Sequence, residues 1–193
     1  MFRTKLRRKY RGLSREELLN LTYEMGVNYM KNSGSCSQST VAAIHELVEM
    51  DDVAVRVASS SAGGQLGQAM GTCGALIGST IVIDYFFGRP ANTMSHEKGL
   101  PANTEQHIEA IQVATPLIYK YIGEYGSILC PQIQMGVFGR HFYFMDDDDM
   151  KKFEAAGGHE DKCTNVVAKA ARWTMEILLD KGVIEERRPV QLH

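Results

Sequence analysis

The sequence lacks the short motifs by which most redox, metal-binding and hydrolytic proteins are recognised. It has four cysteines but no CxxC pair, so the zinc-ribbon, thioredoxin-like and CxxCH haem-attachment patterns are absent. It also has no G-x-S-x-G elbow, no Walker motif and no G-x-G-x-x-G dinucleotide pattern. These absences disfavour a serine hydrolase and a nucleotide-binding enzyme, and they leave open whether the protein catalyses a reaction at all.

Neither an excess of one charge nor a long apolar run is present. The 21 Lys and Arg residues nearly balance the 23 Asp and Glu residues, and the net charge of -2 gives no general affinity for nucleic acid or membranes. No stretch reaches the roughly 18 uninterrupted apolar residues that a membrane helix needs. Residues 1–11 carry no apolar segment behind their positive charges. We therefore expect a cytoplasmic protein with no membrane span and no nucleic-acid partner.

Length and composition predict one domain. With 193 residues, of which 44% are hydrophobic and 23% charged, the chain has the composition of a soluble globular protein. We place a single helical domain at 13–182, after a mobile basic arm at 1–12 and before a polar tail at 183–193. Segments 89–103 and 132–158 are expected to be insertions within that domain.

Apolar periodicity and capping residues predict an all-α fold, a bundle of about six to seven helices. Ser14 and Glu17 form a capping box at the start of the first helix. The apolar run at 72–87 predicts a helix that is buried nearly all round, and we place this helix at the centre of the bundle. Residues 132–145 are instead predicted to form a loop or a short hairpin.

Each cysteine lies at or within one turn of a predicted helix start. This holds for Cys36, Cys73, Cys130 and Cys163 alike. A helix start exposes unpaired N–H groups and carries roughly half a positive charge, which stabilises a thiolate. We therefore predict that the pKa of each thiol lies below the usual value of about 8.5, so that each sulfur favours metal ligation or attack on a disulfide.

Glycines surround Cys73 in the sequence. Gly71 precedes it, while Gly74 and Gly78 lie four residues apart on one face of the predicted helix. Because these positions carry no side chain, we predict that another group packs closely against them. A cofactor is the preferred candidate, followed by a second sulfur and then by a packed helix. The segment 63–74 contains five glycines and is expected to turn tightly and to allow close backbone approach.

The residues around the four cysteines resemble a known family. They read Ser-Cys-Ser-Gln at 35–38, Gly-Thr-Cys-Gly-Ala-Leu-Ile-Gly at 71–78, Ser-Ile-Leu-Cys at 127–130 and Lys-Cys-Thr-Asn-Val-Val at 162–167. This order looks like the C_GCAxxG_C_C family, and the resemblance covers residues 14–181. That family is regarded as redox-active, small and largely helical, and a related module occurs in split-Soret cytochromes beside an iron–sulfur site. The resemblance implies a redox role for all four cysteines and supplies no substrate.

Three kinds of site could use these cysteines. The first is an iron–sulfur cluster of unspecified type, held by all four thiolates with helix-start amides donating to it. The second is a thiol–disulfide redox pair in which Cys73 is the attacking thiolate, and the third is a structural zinc site. A further alternative is that the four thiols have no redox or metal-binding role and are simply buried in the core.

Two of the six histidines are candidates for the site. His159 lies four residues before Cys163 and is the candidate for an extra ligand. His141, next to Arg140, could contact a cofactor. An electron-transfer role implies an unidentified redox partner protein, and a homodimer is the default assembly.

Overall fold

The computed structural model describes residues 3–97 and 103–184, and this part of the chain is all-α, as predicted. It contains eight α-helices, more than the six to seven expected, and three isolated β-bridges but no strand. None of these helices is both long and apolar enough to span a membrane. The helices are α1 (Arg15–Ser33), α2 (Cys36–Leu47), α3 (Val53–Val57), α4 (Gly74–Phe87), α5 (Thr104–Tyr125), α6 (Cys130–Phe138), α7 (Asp147–Ala155) and α8 (Cys163–Asp180).

Four helices form the main packing unit. Helix α1 packs along α8, and α2 lies against α1, α4 and α8. Helix α4 also contacts α5 and α8, and most of its residues are buried, as its apolar run predicted. The capping box is present: the Ser14 hydroxyl accepts from the Glu17 N–H at 3.3 Å, and the Glu17 carboxylate accepts from the Ser14 N–H at 2.7 Å.

Helix α6 corrects the prediction of a loop or hairpin at 132–145. The first half of that segment is helical up to Phe138, and the helix closes at Gly139 with a φ of 76°. Pro131 suits the first turn because the N–H that it lacks has no partner within a helix there. Gly136 looked like a helix breaker, but it lies on the exposed side of α6 and interrupts nothing.

The basic N-terminal segment packs onto the domain, which differs from the mobile arm expected there. Leu6 is buried and forms a β-bridge with Val48. The Arg7 guanidinium donates from Nε to the His45 carbonyl oxygen at 2.8 Å. The domain limits at 12 and 182 stay predictions. Residues 185–193 of the predicted tail lie outside the described residues, as do residues 98–102 of the first predicted insertion.

The crossing of α2 and α4 depends on Gly78. A Cβ at this position would overlap the Ser37 carbonyl oxygen and lie 2.9 Å from Thr40 Cβ. Because the first clash is with backbone, it is relieved only by separating the helices. We expect Gly78→Ala to lower the free energy of unfolding by about 1–3 kcal/mol, measured by urea denaturation.

The matched control for Gly78→Ala is Gly123→Ala, on the exposed side of α5. No atom lies within 4 Å of a Cβ built at Gly123. Alanine there gains up to about 1 kcal/mol because it favours the helix more than glycine does. Equal stability of the Gly78→Ala protein and the wild type would contradict the steric argument.

Candidate functional site

All four cysteines line one cavity. Its volume is about 230 Å³, far above the roughly 10–15 Å³ that one water molecule needs. Cys73 and Cys130 are buried, at 7% and 8% exposed, and Cys36 and Cys163 are partly buried. Burial raises the pKa of Cys163 well above its ordinary value, and the proximity of the other three sulfurs raises it further. The structure therefore brings the four predicted site residues together.

The helix starts deliver the sulfurs to this cavity. Cys36, Cys130 and Cys163 are the first residues of α2, α6 and α8, and Cys73 is the N-cap of α4. The four cysteines are thus positioned by the ends of four helices whose other faces pack in the core or on one another. The predicted placement at helix starts is confirmed for Cys36, Cys73 and Cys130, whereas Cys163 follows the π-helical turn Gly158–Lys162 directly and its N–H donates to the Gly158 carbonyl oxygen.

A pair of backbone hydrogen bonds fixes Cys73 beside the start of α6. The Cys73 N–H donates to the Ile128 carbonyl oxygen at 2.9 Å, and the Cys130 N–H donates to the Gly71 carbonyl oxygen at 2.9 Å. These bonds form the two sides of a short antiparallel bridge. Gly71, one of the predicted site residues, therefore acts through its backbone by anchoring the segment that carries Cys130.

Gly74 provides clearance for a partner sulfur. A Cβ on it would overlap the Cys36 sulfur and lie 2.8 Å from the Ser61 carbonyl oxygen. Gly78, one turn further on, makes room for α2 instead. Of the three neighbours predicted for these glycines, a second sulfur thus lies at Gly74 and a packed helix at Gly78.

A left-handed turn forms part of the cavity wall. Five consecutive residues, 63–67, have φ between 52° and 72°, and two of them, Gln65 and Leu66, are not glycine. Such a conformation costs a non-glycine residue roughly 1–2 kcal/mol. The turn presents the Gly63 N–H to the Cys36 sulfur, and this amide donates a hydrogen bond at 3.3 Å. The glycine-rich segment therefore turns tightly and approaches the site with its backbone, as predicted.

The predicted lowering of the thiol pKa values is wrong for the protein without a bound metal. Burial raises the pKa of Cys73 to about 12 and that of Cys130 to about 11. Backbone amides act in the predicted direction, such as those of Ala75 and Leu76 at Cys73, but their effect is smaller than that of desolvation. The free thiols are therefore protonated at neutral pH, whereas coordination to a metal deprotonates a thiol outright.

Sequence reasoning missed Gln134, a buried amide that holds Cys130. Its Nε2 donates to the Cys130 sulfur at 3.3 Å, and its Oε1 accepts from the Phe142 N–H at 2.7 Å. The second bond fixes which end of the amide faces the sulfur. The spacing of four residues on one helix was the available signal, but it depended on recognising α6.

Of the two candidate histidines, only His159 lines the cavity. It lies in a short π-helical turn before α8, and its Nδ1 lies 2.6 Å from Glu154 Oε1. A carboxylate on one ring nitrogen is the usual environment of a metal-ligating histidine. His141 is exposed, and the neighbouring Arg140 forms an ion pair with Asp149 at 2.8 Å.

Segment 132–158, predicted to be an insertion, forms part of the cavity wall. Phe144, Met150 and Phe153 from this segment belong to the cavity lining. Phe153 is 1% exposed and stands at the centre of an aromatic cluster, with ring centroids 4.9 Å from Phe144 and 5.1 Å from His159. This segment therefore covers part of the cavity with aromatic side chains.

The four thiols line one cavity, but they are not grouped as the ligands of one metal ion. Among residues 3–97 and 103–184, no three His, Cys, Asp or Glu side chains are arranged to hold a single metal ion. A zinc ion would need ligands at about 2.0–2.3 Å.

The chain matches the model of a protein family. A profile described as "Putative redox-active protein (C_GCAxxG_C_C)" matches residues 34–177, which is well over half of the chain and includes all four cysteines. No curated protein and no solved structure matches the chain.

Proposed function

Because the chain belongs to the C_GCAxxG_C_C family of redox-active proteins, we propose that it is an electron-transfer protein whose four cysteines bind an iron–sulfur cluster. The observation that carries this proposal is the lining of a single apolar cavity by Cys36, Cys73, Cys130 and Cys163. Four thiolates are the usual ligand set of such clusters. Once bound, a cluster takes up and releases single electrons.

The chain's residues fit this group. The cavity is apolar, and Gly74 leaves space beside the Cys36 sulfur that any larger residue would fill. The Gly63 amide and the Gln134 side chain each donate a hydrogen bond to a cysteine sulfur. Such donors stabilise negative charge on sulfur and raise the reduction potential of the metal that it binds.

The pKa values argue against the thiol–disulfide alternative. Attack on a disulfide requires a thiolate, and burial raises the pKa of Cys73 to about 12. A protonated, buried Cys73 is a poor nucleophile at neutral pH. No three of the described His, Cys, Asp or Glu side chains are grouped for one metal ion, so metal analysis has to distinguish zinc from a cluster.

The proposal includes a partner and a location. Electrons must come from and go to another protein, so we propose a redox partner that docks on this domain. We also propose a cytoplasmic location, where free thiols stay reduced.

The test is anaerobic purification followed by analysis of iron, acid-labile sulfide and the visible spectrum. We expect iron and sulfide in matching amounts, with iron lost from each of the single Cys→Ser variants. The helical circular dichroism of each variant checks that it folds. Colourless protein that also fails reconstitution would overturn the proposal, and stoichiometric zinc without iron would select the structural alternative.

A control for the cysteine variants is Ser37→Ala. Ser37 is a buried residue of α2 next to Cys36, and its hydroxyl donates to the Ala58 carbonyl oxygen at 2.7 Å without lining the cavity. We expect this variant to lose some stability and to keep its iron. Iron loss in Ser37→Ala equal to that in Cys36→Ser would show that the cysteine variants report on folding alone.

A further inference from the structure

Helix α5 contributes no cysteine, but it buries two tyrosines near the site. Tyr121 is fully buried, and its hydroxyl has no hydrogen-bond partner among the described residues. The same holds for the hydroxyl of Tyr125, one turn further along α5. Buried hydroxyls are almost always hydrogen-bonded, and an exception often marks a missing ligand. The two unpaired phenols therefore call for a physical explanation.

Among the groups that interact with the Tyr121 hydroxyl, Cys73 has the largest effect. Burial raises the pKa of Tyr121 well above its ordinary value, and the nearby Cys73 raises it further. A protonated thiol is a weak acceptor, so it satisfies the phenol poorly. A metal-bound sulfur carries negative charge and accepts a much stronger hydrogen bond.

Aromatic packing holds the Tyr121 ring in place. Its centroid lies 5.5 Å from the Tyr125 ring and 5.5 Å from the Trp173 ring, with Trp173 in an edge-to-face arrangement. These contacts leave the ring little freedom to turn the hydroxyl away from Cys73. The Tyr121 hydroxyl is therefore held in position before any metal binds.

Building on the proposed function, we propose that the Tyr121 hydroxyl donates a hydrogen bond to the Cys73 sulfur when that sulfur is bound to metal. This bond withdraws electron density from the sulfur and favours the reduced state of the group. Tyr121 thereby raises the reduction potential without being a ligand. It is a positioning and tuning residue that acts through Cys73.

The test compares Tyr121→Phe with Tyr119→Phe, a change of a 71% exposed tyrosine on the same helix. We expect Tyr121→Phe to keep its iron and sulfide but to show a more negative midpoint potential. Tyr119→Phe should have the wild-type potential. A Tyr121→Phe potential equal to that of the wild type would overturn the inference.

A second measurement separates this inference from the cluster proposal. The metal-free protein is titrated with cobalt(II), whose thiolate charge-transfer band reports on hydrogen bonds to sulfur. Loss of the hydrogen bond raises the energy of the sulfur electrons, so the band of Tyr121→Phe should move to longer wavelength. An unchanged band would overturn the inference even if iron binds, and a site that takes up neither metal would overturn both proposals.

Discussion

Alanine in place of Gly74 is expected to abolish metal loading. Its Cβ would overlap the Cys36 sulfur, which a change of rotamer could relieve only by moving the sulfur out of the site. It would also lie 2.8 Å from the Ser61 carbonyl oxygen, a backbone atom that cannot rotate away. The start of α4 and the adjacent turn must then separate. We expect at least a tenfold loss of iron per chain, and a free energy of unfolding lower by about 1–3 kcal/mol.

The control for Gly74→Ala is Gly136→Ala in α6. Gly136 lies six residues from Cys130 on the exposed side of its helix, where a Cβ meets no atom within 4 Å. This variant should load iron fully. Full loading of Gly74→Ala would show that the space beside the Cys36 sulfur is not needed.

Metal-free protein is expected to lose several kcal/mol of stability at alkaline pH. Burial raises the pKa of Cys73 from 9.0 to about 12 and that of Cys130 from 9.0 to about 11. The folded state therefore keeps protons that the unfolded state has released. Stability is fully present below about pH 9 and falls as the pH rises toward the folded-state values, by roughly 1.4 kcal/mol per pH unit for each thiol. The pKa values of Cys36 and Cys163 are also raised, so they contribute in the same direction.

The measurement is the free energy of unfolding in urea at pH 8, 9 and 10 under reducing conditions. Metal-loaded protein is the internal comparison, because its bound sulfurs have already lost their protons and should show a flatter profile. Cys73→Ala should reduce the slope of the metal-free profile, since one buried thiol is gone. A metal-free profile that is flat between pH 8 and 10 would contradict the raised pKa values.

Features that depend on residues close together in the sequence were predicted correctly. The capping box at Ser14, the buried run of α4 and the glycine-rich turn depend on neighbouring residues, and all three are present in the structure. The location of Cys36, Cys73 and Cys130 at helix starts was predictable for the same reason. Gly74 was recognisable as a point of close approach because it lies next to Cys73.

What the sequence did not reveal depends on distant parts of the chain. The depth of burial, which reverses the direction of the thiol pKa shifts, is set by packing that no local pattern records. Tyr121 has the ordinary appearance of an apolar-face residue on α5, and only the fold brings it to Cys73. The start of α6 was predicted at Cys130, but its continuation past residue 131 was missed because Gly136 and Gly139 suggested a break, and Gln134 was missed with it.

The order of the four helix starts along the chain also has a consequence for biosynthesis. Cys36 and Cys163 are separated by 127 residues, and α8, which begins at Cys163, packs against both α1 and α2. A ribosome adds about 5–20 residues per second, so the first thiol waits roughly 6–25 s before the last one is made. During that time α1 and α2 lack the helix that covers them. Completion of the site is therefore one of the last events in the synthesis of the domain, and the early thiols are open to oxidation until it occurs.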